Sequence, residues 1–117
     1  MSDHPSHAFK IVDATEWAAA EADGAYGGSD VDRADGYIHL STEAQLAETA
    51  AKHYARRRGL LLLTVDLAPL GGAVVWEASR GGALFPHIYG PLPVAAVTAR
   101  RAFAVTADGD IAFEDVA

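Results

Sequence analysis

Three residues have the type and setting to do chemistry: His39, Glu77 and His87. An imidazole changes protonation near neutral pH, and a carboxylate beside it can orient it or take its proton. His39 lies near the end of residues 36–40, Gly-Tyr-Ile-His-Leu, which read as a strand running into the helix start Ser41-Thr42-Glu43. Such a junction turns backbone N–H groups and a positive dipole end outward, where anions and developing negative charge are stabilised. Glu77 lies in a strand over residues 73–78 and faces away from Trp76. It must point to solvent or find a partner, and in a cleft its pKa would rise into the range useful for acid–base work. His87 belongs to Phe85-Pro86-His87-Ile88-Tyr89-Gly90-Pro91, where the period of two places His87 and Tyr89 on one face of an extended segment. Tyr37, Ser41, Thr42, Trp76, Tyr89 and Lys10 complete the candidate set as substrate-binding residues around these three catalytic candidates. The plain alternative is that both histidines are structural pins between the sheet and its helices.

Other chemistries fit less well. His39, Glu77 and His87 match a two-histidine, one-carboxylate metal set in composition, but they come from three separate elements and no short ligand spacing such as H-E-x-x-H is present. Ser41 lacks a G-x-S-x-G setting, and neither G-x-G-x-x-G nor G-x-x-x-x-G-K-[ST] occurs. The count of zero cysteines removes disulfides, thiolate metal sites and cysteine nucleophiles.

The elements that position these residues follow from patterning. Residues 1–7 read as a flexible tail, with His4 and His7 outside any site. A short strand at 9–12 leads to Asp13 and Glu16, an N-terminal capping pattern for a helix over 14–22 that Asp23-Gly24 ends. Residues 24–36, rich in Gly and Asp, read as a long loop bordering a site. A helix over 42–57 follows, with Leu46, Thr49, Ala50, His53 and Tyr54 on one face and Arg56-Arg57-Arg58 complementing its carbonyl end. Residues 60–66 form a buried strand expected to make an antiparallel hairpin with 73–78. The proline-rich segment 85–91 suits an edge strand or rigid loop, and Asp108-Gly109 marks a hairpin between strands at 96–105 and 111–116. The expected fold is α+β: one domain over 1–117, a mostly antiparallel twisted sheet of about six strands, and two main helices packed on it.

At 117 residues the chain suits a single core, and with 50% hydrophobic residues it is neither disordered-like nor membrane-like. A net charge of −7 argues against a nucleic-acid partner, because phosphate-backbone binding needs clustered cations. No secretory pattern opens the chain, so a cytoplasmic location and a small-molecule partner are expected.

The order Phe9-Lys10-Ile11, Trp17, Gly36-Tyr37-Ile38-His39-Leu40-Ser41-Thr42, Gln45, Trp76-Glu77 and Leu84-Phe85-Pro86-His87-Ile88-Tyr89-Gly90-Pro91-Leu92 resembles the bacterial domain of unknown function 952 family over about residues 8–103. Through it the chain is distantly similar to the ADP-ribosyltransferase superfamily, including RNA 2′-phosphotransferases. That resemblance implies NAD or an ADP-ribosylated species as ligand, His39 and Ser41 near its ribose or phosphate groups, and Glu77 orienting a ribose hydroxyl. The resemblance also implies that Lys10 stands where many relatives carry a histidine, so a first-strand histidine that would bind the dinucleotide is absent. The reading reached is a small enzyme or enzyme-like domain acting on a ribose- or phosphate-bearing molecule. Its rival is a non-catalytic module binding a metabolite or peptide in the same cleft.

Overall fold

A computed structural model of the chain describes residues 5–78 and 82–114. Strand β1 (His7–Asp13) alternates its side chains, sending Ala8 and Val12 to one core and Ile11 to another. Asp13 then caps helix α1 (Ala14–Asp23), its side chain accepting the N–H groups of Thr15 and Glu16, and Gly24 at φ 89° ends the helix. Helix α3 (Glu43–His53) starts with a capping box between Thr42 and Gln45. Strand β4 (Leu60–Asp66) is central to the main sheet. It pairs antiparallel with β1 on one side and with β8 (Val97–Val105) on the other. Beyond β8 lies β9 (Ile111–Phe113), joined through the turn expected at Asp108-Gly109.

This four-stranded sheet is covered on both faces. Leu63 and Val65 face a core with Trp17, Ile38 and Ile88, while Leu60 faces Phe103, Val105 and the Leu46–Ala50 side of α3. A second sheet has the order β3 (Ile38–His39), β6 (Leu84–Ile88), β5 (Val74–Ala78), and a short ribbon pairs β2 (Ala25–Tyr26) with β7 (Leu92–Pro93). The two larger sheets are linked at the edge of β1, where Phe9 and Ser41 exchange both backbone hydrogen bonds at 2.8 Å.

The fold is α+β and mostly antiparallel as expected, with nine strands in three sheets among the described residues in place of one sheet of about six. The expected hairpin between residues 60–66 and 73–78 does not form. Two 3-10 turns over Ala68–Ala73, with Gly71 at φ 51° and ψ −128°, redirect the chain, so β5 joins the second sheet. The segment around Pro86 is a central strand and not an edge. Residues 38 and 39 pair with 88 and 87, so Pro86 lies one position past the end of β3, where no ladder N–H is needed, and its carbonyl accepts from Leu40 N at 3.0 Å. The stretch 24–36 is not a plain loop, since it contains β2 and helix α2 (Asp30–Asp35). Helix α3 ends at His53, not at 57, because Arg56 (φ 69°) and Arg57 leave the helix to hydrogen-bond Thr106 and Val105. The first strand starts at His7, inside the segment read as a tail. His4, Ser79, Gly81 and Val116 lie outside the described residues.

Phe103 is fully buried at the centre of the core beneath α3. Phe103→Ala is expected to cost about 3–5 kcal/mol. Chemical denaturation followed by circular dichroism checks this, and a loss below about 1 kcal/mol would mean that this core can collapse around the gap.

Candidate functional site

The second sheet sorts the candidate residues by register alone. His39 sits directly opposite His87 across the β3–β6 pair, and Val75 is opposite His87 while Glu77 is opposite Phe85 across β6–β5. Directly paired residues share a face, so His39, His87 and Glu77 lie on one side of this sheet. Trp76 and Ile88 lie on the other, packed into the core. Tyr37 completes the outer face: its ring stacks on His87 at 4.1 Å between centroids, and it meets His39 at 4.8 Å and Tyr89 at 5.2 Å. The two imidazoles are 5.4 Å apart, edge to face.

Each imidazole is held by carboxylates, but in different ways. His87 is buried, and its Nδ1 lies 2.7 Å from Glu77 Oε1, which also accepts the Tyr89 hydroxyl at 2.7 Å. The hydrogen bonds from His87 and Tyr89 hold the Glu77 carboxyl below its ordinary range, and the same contact pushes the Tyr89 phenol up to about 12. An ionised Glu77 accepts only, so His87 donates from Nδ1, and Nε2 is the nitrogen left to meet a ligand. His39 is anchored at both ends, with Nδ1 at 2.6 Å from Asp32 Oδ1 and Nε2 at 2.9 Å from Asp35 Oδ2. It donates both bonds at once only as the imidazolium.

Asp32 is the buried centre of this arrangement. It is the third residue of α2, and its Oδ2 completes a capping box by accepting Ser29 N at 2.9 Å. Its Oδ1 also accepts the His39 backbone N–H at 3.1 Å. Lys10, itself only 5% exposed, brings Nζ to 2.9 Å from Oδ2 and 3.2 Å from Oδ1. Burial alone would raise the Asp32 pKa. The His39 hydrogen bond, the Lys10 charge and the Ser29 N–H outweigh it, and the carboxyl sits well below the usual range. Burial pulls the Lys10 ammonium the opposite way to its pairing with Asp32, and its pKa ends below the ordinary lysine value. Gly28 makes room for this packing, since a Cβ there would lie 2.9 Å from the Asp32 Cβ and the residue adopts φ 104°.

Beside this network opens a cleft of about 650 Å³ at the seam between β1, α2, the end of α3 and β6. His39, His87, Lys10 and Ser41 line it, as sequence reasoning grouped them, together with Asp35 and Arg57. Ser41 Oγ is 3.1 Å from Thr49 Oγ1 on the cleft wall. The other candidates are placed elsewhere. Glu77 does not line the cleft and reaches it only through His87. Tyr89 lies with Glu77 on the outer side, and Tyr37 borders a smaller pocket of about 240 Å³ beyond Asp32. Thr42 spends its side chain on the α3 cap, and Trp76 faces the core because it alternates with Glu77 along β5. Asp32 and Asp35 were absent from the sequence candidates. The Ser29-x-x-Asp32 capping spacing was the available signal for this helix. Among the described residues no group of three or more His, Asp or Glu side chains is placed to hold a metal ion, and no helix is long and apolar enough to cross a membrane.

The fold and site thus define a small α+β protein with two carboxylate-held histidines lining one cleft. The chain belongs to the DUF952 family, described as proteins of unknown function, whose model matches residues 11–100. It is similar to protein CC0527 from Caulobacter crescentus. The crystal structure of that protein is 50% identical with a TM-score of 0.85, and the match covers 90% of this chain and 92% of that one. Its solution NMR structure gives 49% identity and a TM-score of 0.79, with 91% of each chain covered. No curated protein matches the chain. These comparisons support the family and lend no support to the similarity with ADP-ribosyltransferases.

The Asp32 pKa is lower folded than unfolded, so the stability it contributes is complete above the ordinary value of 3.8 and is lost as pH falls below it. Asp32→Asn, which leaves Lys10 buried without its counter-charge, is expected to cost about 3–5 kcal/mol at neutral pH. It should also make the acid limb of the stability profile shallower. Denaturant midpoints measured from pH 7 down to about 2 check both effects. An unchanged neutral midpoint, or an acid limb as steep as that of the wild type, would show that Asp32 does not hold the site together.

Proposed function

We propose that the cleft binds a small ribose- or phosphate-bearing molecule and that His87, oriented by Glu77, exchanges a proton with it. The observation that carries this reading is the Glu77–His87 pair at 2.7 Å with His87 on the cleft wall. A carboxylate on Nδ1 fixes the tautomer, aims Nε2 and stabilises the imidazolium that forms when Nε2 takes a proton. Glu77 is then a positioning residue and His87 the catalytic one. His39, with both nitrogens on carboxylates, is a fixed wall of the site and has no nitrogen left to act as its base.

The lining suits a sugar phosphate. Asp35 is half-exposed at the cleft and, like the acidic residues that bind ribose in dinucleotide sites, can accept from vicinal hydroxyls. Arg57, also on the lining, supplies a fork for a phosphate. A volume of about 650 Å³ falls within the range of small-ligand sites. NAD and ADP-ribose belong to this ligand class. An ADP-ribosyltransferase role for Glu77, with the carboxylate on the ribose itself, does not suit a carboxylate seated behind His87, so proton transfer by His87 is the chemistry proposed. The cytoplasmic location expected from the sequence belongs to the same reading.

A thermal-shift series with ribose 5-phosphate, ADP-ribose, NAD and inorganic phosphate tests it. A compound at about 100 times its Kd stabilises the fold by about 2.7 kcal/mol, a rise of several degrees for a domain of this size. The stabilising compound should protect Arg57→Ser less than the wild type. His87→Gln and Glu77→Gln should slow its conversion, followed by NMR, by about 100-fold or more. Binding without any conversion by the wild type would favour the non-catalytic module. No shift with any of the four sinks the ligand reading.

A further inference from the structure

Lys10 is a primary amine at the wall of the cleft, held by a buried carboxylate, and the proton chemistry assigned to His87 makes no use of it. We propose that Lys10 is a carbonyl-reactive amine that forms a covalent imine with an aldehyde or ketone group of a ligand in this cleft. The proposal rests on the cleft being a ligand site, and it narrows the ligand class to sugar phosphates that present a free carbonyl.

Three observations support it. Lys10 is buried yet belongs to the lining of the cleft, so a small molecule held there meets a lysine side chain screened from bulk water. Asp32 contacts Nζ with both oxygens, at 2.9 and 3.2 Å, which fixes the amine and keeps a counter-charge beside it through the reaction. His39 shares the same Asp32 oxygen at 2.6 Å, so a proton donor lies one carboxylate away from the reacting nitrogen. An ion pair alone would not require the lysine to face a cavity, and the other lysine of the chain, Lys52, is half-exposed and pairs loosely with Glu48 at 3.6 Å.

The step balances without an outside reagent. Lys10 first passes one ammonium proton to Asp32, and the lone pair this frees forms the bond to the carbonyl carbon as the C=O π pair moves to oxygen, which takes that proton back from Asp32. The carbinolamine hydroxyl then takes a second proton from the nitrogen and leaves as water while the nitrogen lone pair forms the C=N. The third proton stays on the new C=N, so a protonated imine replaces the ammonium opposite Asp32 and the site keeps its charge. Burial also favours the reactive form: each unit by which an amine falls below an exposed lysine raises its free-amine fraction about tenfold near neutral pH, and the Lys10 pKa lies below the ordinary lysine value.

The test is reductive trapping of the intact protein with glycolaldehyde phosphate and cyanoborohydride at neutral pH, read by peptide mass mapping. Cyanoborohydride delivers hydride to the imine carbon and leaves a stable secondary amine. The chain holds two lysines, so Lys52 is the internal control. The expected result is an adduct on Lys10 in clear excess over that on Lys52. Lys52→Arg should leave that yield unchanged, and a saturating non-carbonyl competitor, inorganic phosphate, should reduce it. Adduct only on Lys52 or elsewhere in the chain, or a Lys10 yield that phosphate does not touch, overturns the proposal. Failed trapping alongside a persistent ligand-induced thermal shift overturns the lysine chemistry alone and leaves the binding reading standing.

Discussion

A carboxylate with 2% of its side chain exposed is tolerable only if its charge is met from several sides, and Asp32 meets that requirement with donors from three separate stretches of chain. Ser29 N fixes the start of α2, the His39 backbone and ring fix the end of β3, and Lys10 fixes the middle of β1. None of these segments is strongly specified by its own propensity. Helix α2 spans only six residues and β3 only two. Short elements of this kind do not persist on local hydrogen bonds, so their placement derives from the tertiary contacts that Asp32 gathers.

The same hub explains why the cleft exists. β1 is an edge strand of the main sheet, and its exposed side pairs only briefly, through Phe9 and Ser41, with the chain leaving β3. Asp32 draws α2 over that edge from one side, and the end of α3 closes it from the other by way of Tyr54, whose hydroxyl reaches the Ile11 carbonyl at 3.5 Å. Between them the sheet edge is neither paired along its length nor covered, and the polar side chains of β1 and β3 line the gap.

Much of this was legible in the sequence, and the misses share a cause. The apolar run in residues 60–66, the Asp13 cap, the Thr42 start of α3 and the Asp108-Gly109 turn are local signals, and each appears where its local chemistry requires. The pairing of 60–66 with 73–78 failed because strand partners depend on the path taken by the intervening residues, and the φ of Gly71 is not encoded by periodicity. Pro86 in a central strand failed the usual rule because the exception depends on where the partner strand stops, a nonlocal fact. In the site, His39 and His87 stood out by type and setting. Asp32 did not, because an acidic residue in a Gly- and Asp-rich stretch looks solvated until its partners are known. Lys10 was legible as a candidate binding residue, but its burial beside Asp32 was not, because that depends on where residues 29–35 fold.

The two histidines show how the number of carboxylates sets the role of an imidazole. One carboxylate, on Nδ1 of His87, fixes the tautomer and leaves Nε2 for a ligand. Two carboxylates, on both nitrogens of His39, leave none, and the ring is fixed between Asp32 and Asp35. Tyr37 stacks on one ring and tilts against the other, so it keeps the imidazoles 5.4 Å apart and limits how far either can rotate from its carboxylate. The face of the second sheet therefore separates holding from reacting: β3 carries the group that is locked, β6 carries the group with a nitrogen to offer, and the register that sets them opposite each other brings both to a single cleft.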